Sequence, residues 1–242
     1  MQHTKHVLEL HHVNKTLAKK KVLFSVSFEV QEGEIYGFLW PNGAGKTTTM
    51  KCILGLIKQE SGSIKVFWEE GLTQEAKKEI GFMPENTYLY KHLTGREFLL
   101  FNGRFFDIPE KELNHRVEEL LKKIGLEKAK DKLLGEYSKG MLQRVGLAQA
   151  IINKPKLLFL DEPMSGLDPI GRKMVKDLLV ELRDAGTTIF FNTHILADVE
   201  SICDRVSIIH LGHIIVNGKQ IKDIEWGLEN FFIEKIQESE QK

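Results

Sequence analysis

Apolar and polar residues alternate from Val7 to Val13, and alternation returns from Val22 to Val30 after the basic stretch Lys15 to Lys21. A period of two is that of a strand with one wet face, so the pair predicts an antiparallel hairpin at a sheet edge. After the turn Gln31-Glu32-Gly33 the pattern changes. Glu34 to Leu39 is an almost continuous apolar run, as a strand covered on both faces requires, and Lys46 to Leu56 follows as a helix. Ser61-Gly62-Ser63 introduces a short strand, Ile64 to Trp68. Gln74 to Glu79 reads as a charged helix, and Ile80 to Met83 as a core strand stopped by Pro84 and Glu85.

From Asn86 to Lys154 the period becomes helical: Phe98, Phe101 and Phe105 share a face, and Leu113 to Ile124 sets Val117, Leu120, Leu121 and Ile124 opposite charged positions. Aromatics at that spacing are read as core rather than as a ligand box. Tyr88 and Tyr90 fall outside the period. Lys156 to Leu160 is a second buried strand, ending in Asp161-Glu162-Pro163. Arg172 to Arg183 is an amphipathic helix, and Thr187 to Phe191 is a third apolar strand ending in Thr193-His194. Arg205 to His210 and His213 to Asn217 form a hairpin, and Ile221 to Ile236 an amphipathic tail helix carrying Trp226, Phe231 and Phe232. The expected fold class is α/β: a core sheet with an N-terminal antiparallel β subdomain and an inserted helical subdomain. One domain covers 1–242. Its α/β core with the β subdomain is expected at 1–85 and 155–220, the helical subdomain at 86–154 and a C-terminal helix at 221–242.

Composition narrows the classes. A chain of 242 residues suits one α/β core with an insertion. Lys plus Arg equals Asp plus Glu at 34 each, which removes the basic field of a dedicated nucleic-acid binder. Cys52 and Cys203 lack paired metal or redox spacing and fit buried thiols in a reducing compartment. No stretch reaches the roughly 18 apolar residues of a spanning helix, and Met1 to His12 is polar rather than signal-like, so a membrane role is expected to come through a partner. His3, His6, His11, His12, His210 and His213 have no fitting ligand spacing and read as surface residues.

Two strand ends carry candidate chemistry. Phe38-Leu39-Trp40-Pro41-Asn42-Gly43-Ala44-Gly45-Lys46-Thr47-Thr48-Thr49-Met50 places glycines where a strand becomes a helix. Amides of Gly43 to Thr47 can converge there on an anion at a helix N-terminus. Asn42, Gly43, Ala44, Gly45, Lys46, Thr47 and Thr48 are the expected nucleotide-binding residues. Lys46 would reach the β- and γ-phosphates, and the Thr47 hydroxyl would ligate magnesium. A plain strand–turn–helix is the blander reading. The pattern normally opens with Gly, whereas this chain has Trp40; Pro41 favours extended backbone before it, and the indole is expected to project toward the nucleotide mouth. At the second strand end, Asp161 suits a magnesium site and Glu162 a water-polarising base, the alternative being an ordinary turn.

Leu-Leu-Phe-Leu-Asp-Glu-Pro-Met-Ser-Gly-Leu-Asp-Pro (157 to 169), with Tyr-Ser-Lys-Gly-Met-Leu-Gln-Arg-Val-Gly-Leu-Ala-Gln-Ala (137 to 150) before it and Asn-Thr-His (192 to 194) after it, resembles the ATP-binding-cassette ATPases over nearly the whole chain. The Ser-Lys-Gly-Met form of the signature looks like the branch serving drug, antibiotic and bacteriocin exporters. The resemblance implies a phosphate-loop NTPase core sheet and a head-to-tail sandwich of two cassettes, each ATP lying between one subunit's phosphate loop and the other's signature. Ser138 and Gly140 would then meet a γ-phosphate at the start of the helix Lys139 to Asn153, where Ser138 also fits an N-cap. It further implies that His194 contacts the γ-phosphate and that Ser165 to Asp168 couples the two sites. Alone, Ser138 would only cap a helix, and His194 would be structural. Two departures accompany Trp40. Glu85 stands where the family usually has Gln, and keeps an oxygen for metal or water. Leu17 aligns with the usual adenine-stacking aromatic, giving up a π-face contact worth about 1 kcal/mol.

The expectation is the cytoplasmic ATP-hydrolysing subunit of an ABC exporter, using ATP and Mg2+. It would be attached to the inner face of the membrane through a separate permease and paired with a second ATPase subunit, with no nucleic acid. The surface Tyr88 to Thr94 is expected to meet a short cytoplasmic helix of that permease. Rival readings are a soluble cassette ATPase acting on DNA or ribosomes, disfavoured by balanced charge and a single cassette, and a nucleotide-binding regulator with impaired hydrolysis.

Overall fold

The computed structural model describes residues 5–41, 45–86 and 89–241. In chain order the elements are β1 (His6–Leu17), β2 (Lys20–Gln31), β3 (Ile35–Leu39), α1 (Lys46–Ile53), β4 (Ser61–Val66), β5 (Glu69–Glu70), α2 (Gln74–Lys78), β6 (Ile80–Met83), α3 (Gly95–Gly103), α4 (Glu110–Lys123), α5 (Lys139–Ala150), β7 (Leu157–Asp161), α6 (Pro169–Asp184), β8 (Thr188–Asn192), α7 (Leu196–Ile202), β9 (Arg205–His210), β10 (His213–Gln220) and α8 (Leu228–Glu240). They form two compact units, Met1–Lys77 with Thr188–Lys242, and Lys78–Thr187. The expected helical block 86–154 falls within the second. Among the described residues no helix is long and apolar enough to cross a membrane.

The first unit has an antiparallel sheet ordered β2-β1-β4-β5 and the strand series β10-β9-β3-β8, in which β3 is parallel to both neighbours and β10 antiparallel to β9. Every residue of β3 and β8 is buried, as their apolar runs require. Phe28 of β2 stacks against Tyr36 and Phe38 of β3 and Phe190 of β8, with ring centroids 5.3–5.9 Å apart, so one aromatic cluster joins the two sheets.

The β1–β2 turn is tighter than the basic stretch suggested. Strand pairing continues to Leu17 and Lys20, and Ala18 and Lys19 both take positive φ, as two-residue hairpin turns demand. Three expected bounds also move. Strand β4 stops at Val66 because Phe67 and Trp68 take positive φ; α1 stops at Ile53; and the tail helix begins only at Leu228, after Gly227 at φ +80.

In the second unit, β6 and β7 pair in parallel from Ile80↔Leu157 to Met83↔Leu160. Helix α3 opens with a capping box: the Glu97 amide donates to the Thr94 hydroxyl at 3.2 Å, and the Thr94 amide to the Glu97 carboxylate at 2.8 Å. The aromatic stripe is only partly core. Phe98 is buried, whereas Phe101 and Phe105 are exposed and pack edge to face on one another, with Tyr90 against Phe101 at 5.5 Å.

Candidate functional site

In the first unit, buried β3 runs into Trp40 and, after Gly45, into α1. Gly45 has φ +102, and a Cβ there would lie 3.0 Å from both the Val22 carbonyl oxygen and Leu23 Cδ2, so both backbone and space demand glycine. Among the described residues no side chain caps α1, and its N-cap, Gly45, has none to offer. The Thr49 amide and hydroxyl both donate to the Gly45 carbonyl, at 2.9 and 3.0 Å, which fixes the first turn. Thr47 is exposed, while Thr48 and Lys46 are buried. Asn42, Gly43 and Ala44 lie outside the described residues.

The indole of Trp40 does not project to a mouth. It is 8% exposed and lies tilted on Phe38 with centroids 6.4 Å apart. The Lys46 ammonium stands 4.3 Å from its ring centroid. Trp40 is absent from the positive-φ residues, so the position tolerates a side chain without left-handed strain. An apolar run along β3 does not reveal the space beside Phe38. In fact Phe38 leaves a face for the indole, and the neighbouring cation completes its cover.

Elsewhere in this unit, Leu17 ends β1 and is half exposed, and His194 follows β8 as an exposed, partnered residue. One residue before Thr193-His194, the amide of Asn192 is completely buried, and among the described residues neither its Oδ1 nor its Nδ2 has a hydrogen-bond partner. A buried orphan of this kind costs stability and is retained in few places.

In the second unit, β7 delivers Asp161 and Glu162, 8% and 6% exposed. Glu162 has φ +52, a left-handed conformation costing a side chain about 1–2 kcal/mol. Its carbonyl accepts from Gln143 Nε2 at 2.7 Å and from the Ser165 amide at 3.1 Å, so the strained turn is held from both sides. Gln143 is the residue that motif reading passed over. Its only sequence signal is a polar side chain among the buried Val145, Gly146 and Leu147 of α5.

Ser138 caps α5, its hydroxyl accepting from the Met141 amide at 3.3 Å. Gly140 packs closely on the loop that follows β7: a Cβ there would lie 3.3 Å from the Gly166 carbonyl oxygen. Asp168 ends that loop as N-cap of α6, accepting from the Gly171 amide at 2.7 Å. Glu85 follows β6, exposed and with a partner of its own. An apolar cavity of about 360 Å³ between α4 and α6 contains none of these residues.

Thr47 in the first unit offers a hydroxyl, and Asp161 and Glu85 in the second offer carboxylates; each is a hard oxygen donor of the kind Mg2+ takes.

The sequence profile of the ABC transporter family matches residues 23–165, and this chain belongs to that family. An uncharacterized ABC transporter ATP-binding protein of Synechocystis sp. is 48% identical over 202 residues, 83% of this chain and 57% of that protein. The bacitracin transport ATP-binding protein of Bacillus licheniformis is 41% identical over 206 residues, 84% of this chain and 66% of that protein. The chain thus spans a little over half the length of the Synechocystis relative. A solved ATP-binding subunit of an ABC transporter superposes with a TM-score of 0.87 at 30% identity, covering 95% of this chain and 99% of the other. The fold is therefore the α/β fold of such subunits.

Proposed function

We propose that this chain is the ATP-hydrolysing subunit of an ABC exporter, driving transport through a separate membrane permease. The observation that carries the reading is the start of α1, without a side-chain cap among the described residues, entered through the left-handed Gly45 with Lys46 beside it and following a fully buried parallel strand. Asn42, Gly43, Ala44, Gly45, Lys46, Thr47 and Thr48 cradle the phosphates in this proposal, and Leu17 covers the adenine. Thr47, Asp161 and Glu85 would hold magnesium, which when bound would neutralise phosphate charge. The Glu162 carboxylate accepts the proton of the attacking water, and His194 steadies the γ-phosphate. Ser138 and Gly140 serve the nucleotide of a second ATPase subunit across a head-to-tail dimer. Closure on ATP and reopening after hydrolysis supply the stroke.

The family of the bacitracin transport relative supports the export reading. The exposed, mutually packed Tyr90, Phe101 and Phe105 support docking of a permease helix near Tyr90 to Thr94; Tyr88 lies outside the described residues. Attachment to the inner face of the membrane follows from that docking. The test is magnesium-dependent phosphate release from ATP by the purified chain, together with its recovery from membranes in complex with an integral membrane protein. Absence of phosphate release under all magnesium concentrations refutes the ATPase assignment, and recovery free of membranes refutes the permease.

A further inference from the structure

The family's phosphate loop opens with glycine, which has no side chain to touch the lysine six residues on. Here that position carries an indole. Its contact with Phe38 fixes the ring at 6.4 Å and 39° on the aromatic cluster, and the Lys46 ammonium sits 4.3 Å from the ring centroid. That distance is well inside the range over which a cation is drawn to an aromatic face; tryptophan is the strongest such partner, and the attraction grows when the pair is removed from water. Both members are buried, Trp40 at 8% and Lys46 at 9% exposure.

We propose that Trp40 is a positioning residue for Lys46: its indole is one of the groups that hold the ammonium, so that a nucleotide must draw the lysine off the ring to engage it. This rests on the nucleotide reading above. A ligand that needs a conformation other than the resting one loses affinity by the factor separating the two. The loss falls on ligands bearing a β-phosphate, because those are what this lysine reaches; a monophosphate is unaffected. The phosphates still win, since charge-assisted hydrogen bonds to an ammonium are stronger than its attraction to a ring. Trp40 thus lowers affinity for ATP and ADP without closing the site.

The experiment compares the wild-type chain with Trp40→Leu, which keeps apolar volume and loses the π-face, and Trp40→Phe, which keeps a weaker one. Magnesium-ATP, ADP and AMP affinities are measured by calorimetry. Trp40→Leu is expected to bind ATP and ADP about tenfold tighter, with Trp40→Phe intermediate and AMP unchanged. In a Lys46→Gln background the same substitution should change nothing. Without nucleotide, a thermal-unfolding cycle over Trp40→Leu and Lys46→Gln should show favourable coupling between the two side chains. Unchanged or weaker ATP binding in Trp40→Leu overturns the proposal, as does a gain that extends to AMP or survives Lys46→Gln, which would mark simple relief of bulk. A wild-type chain that binds no ATP defeats the nucleotide reading and this proposal together. ATP binding that is equal in wild type and Trp40→Leu defeats the role of Trp40 alone.

Discussion

Strands β3 and β7 are each five residues long, parallel to the strands they pair with and buried throughout, and each leads to a charged group that is itself largely buried: Lys46 at the start of α1 after β3, and Glu162 directly after β7. They secure that charge by different means. At the end of β7, backbone hydrogen bonds do the work: the Glu162 carbonyl is held by Gln143 and by the Ser165 amide, and a side chain is forced into positive φ. At the end of β3 the left-handed turn is left to Gly45, and the lysine is steadied by a side-chain face, Trp40. The general-base role proposed for Glu162 needs one direction, which a backbone-fixed mount suits. The phosphate contact proposed for Lys46 is better served by a looser hold that a phosphate can displace.

The largest expected effect tests the acid end. Glu162→Gln should keep ATP binding and lose about 10²- to 10⁴-fold in turnover, because an amide can still orient water but cannot take its proton; phosphate release and ATP titration on one sample check both halves. Next is its mount. Gln143→Leu leaves the Glu162 carbonyl with one bond fewer in a buried place, which should cost about 1–3 kcal/mol in urea unfolding and lower turnover more than ATP affinity. Loss of stability with turnover intact would show that the mount does not aim the carboxylate.

On the β3 side, Asn192 faces Phe38 in the strand register and buries an unpaired amide. Asn192→Leu removes that orphan at similar volume and should raise stability by about 1 kcal/mol, read as an increase in Tm. A lower Tm would mean the amide is satisfied in solution.

A dependence on pH is expected at Glu34, just before β3. Burial pushes its carboxyl up to about 7 from an ordinary 4.5, against the Gln31 amide and the Arg205 guanidinium 3.2 Å away, which both favour the charge. The folded chain therefore binds this proton more tightly than the unfolded chain does. The stability it contributes is full below about 4.5 and is lost as pH rises through about 7. Unfolding curves across that window should fall more steeply with pH for wild type than for Glu34→Gln, and parallel curves would contradict the shift.

Much of this was legible in the chain. The runs at Glu34–Leu39, Lys156–Leu160 and Thr187–Phe191 mark buried strands because covering both faces leaves no polar alternation. Their ends also named Lys46, Asp161, Glu162 and His194. Backbone geometry was less legible. The hairpin turn at Ala18-Lys19 uses positive φ without glycine, asparagine or aspartate, so nothing in composition marked it, and the helical periodicity of the tail ran through Gly227 although the chain breaks there. The direction of the Trp40 indole depended on a contact with Phe38, two residues away on the same strand, and period-two reasoning gives the face of a residue but not the space behind it. Gln143 was hidden because its partner, a carbonyl 19 residues further on, leaves no trace in sequence.

Single-turnover phosphate release from Lys46→Gln, Glu162→Gln and the double variant, at saturating magnesium-ATP, tests most directly whether the two strand ends act on one nucleotide. Residues that serve the same transition state are strongly non-additive. The account predicts a double variant about as slow as the slower single one. Losses that multiply, with each substitution lowering the rate by the same factor whether or not the other is present, would contradict it.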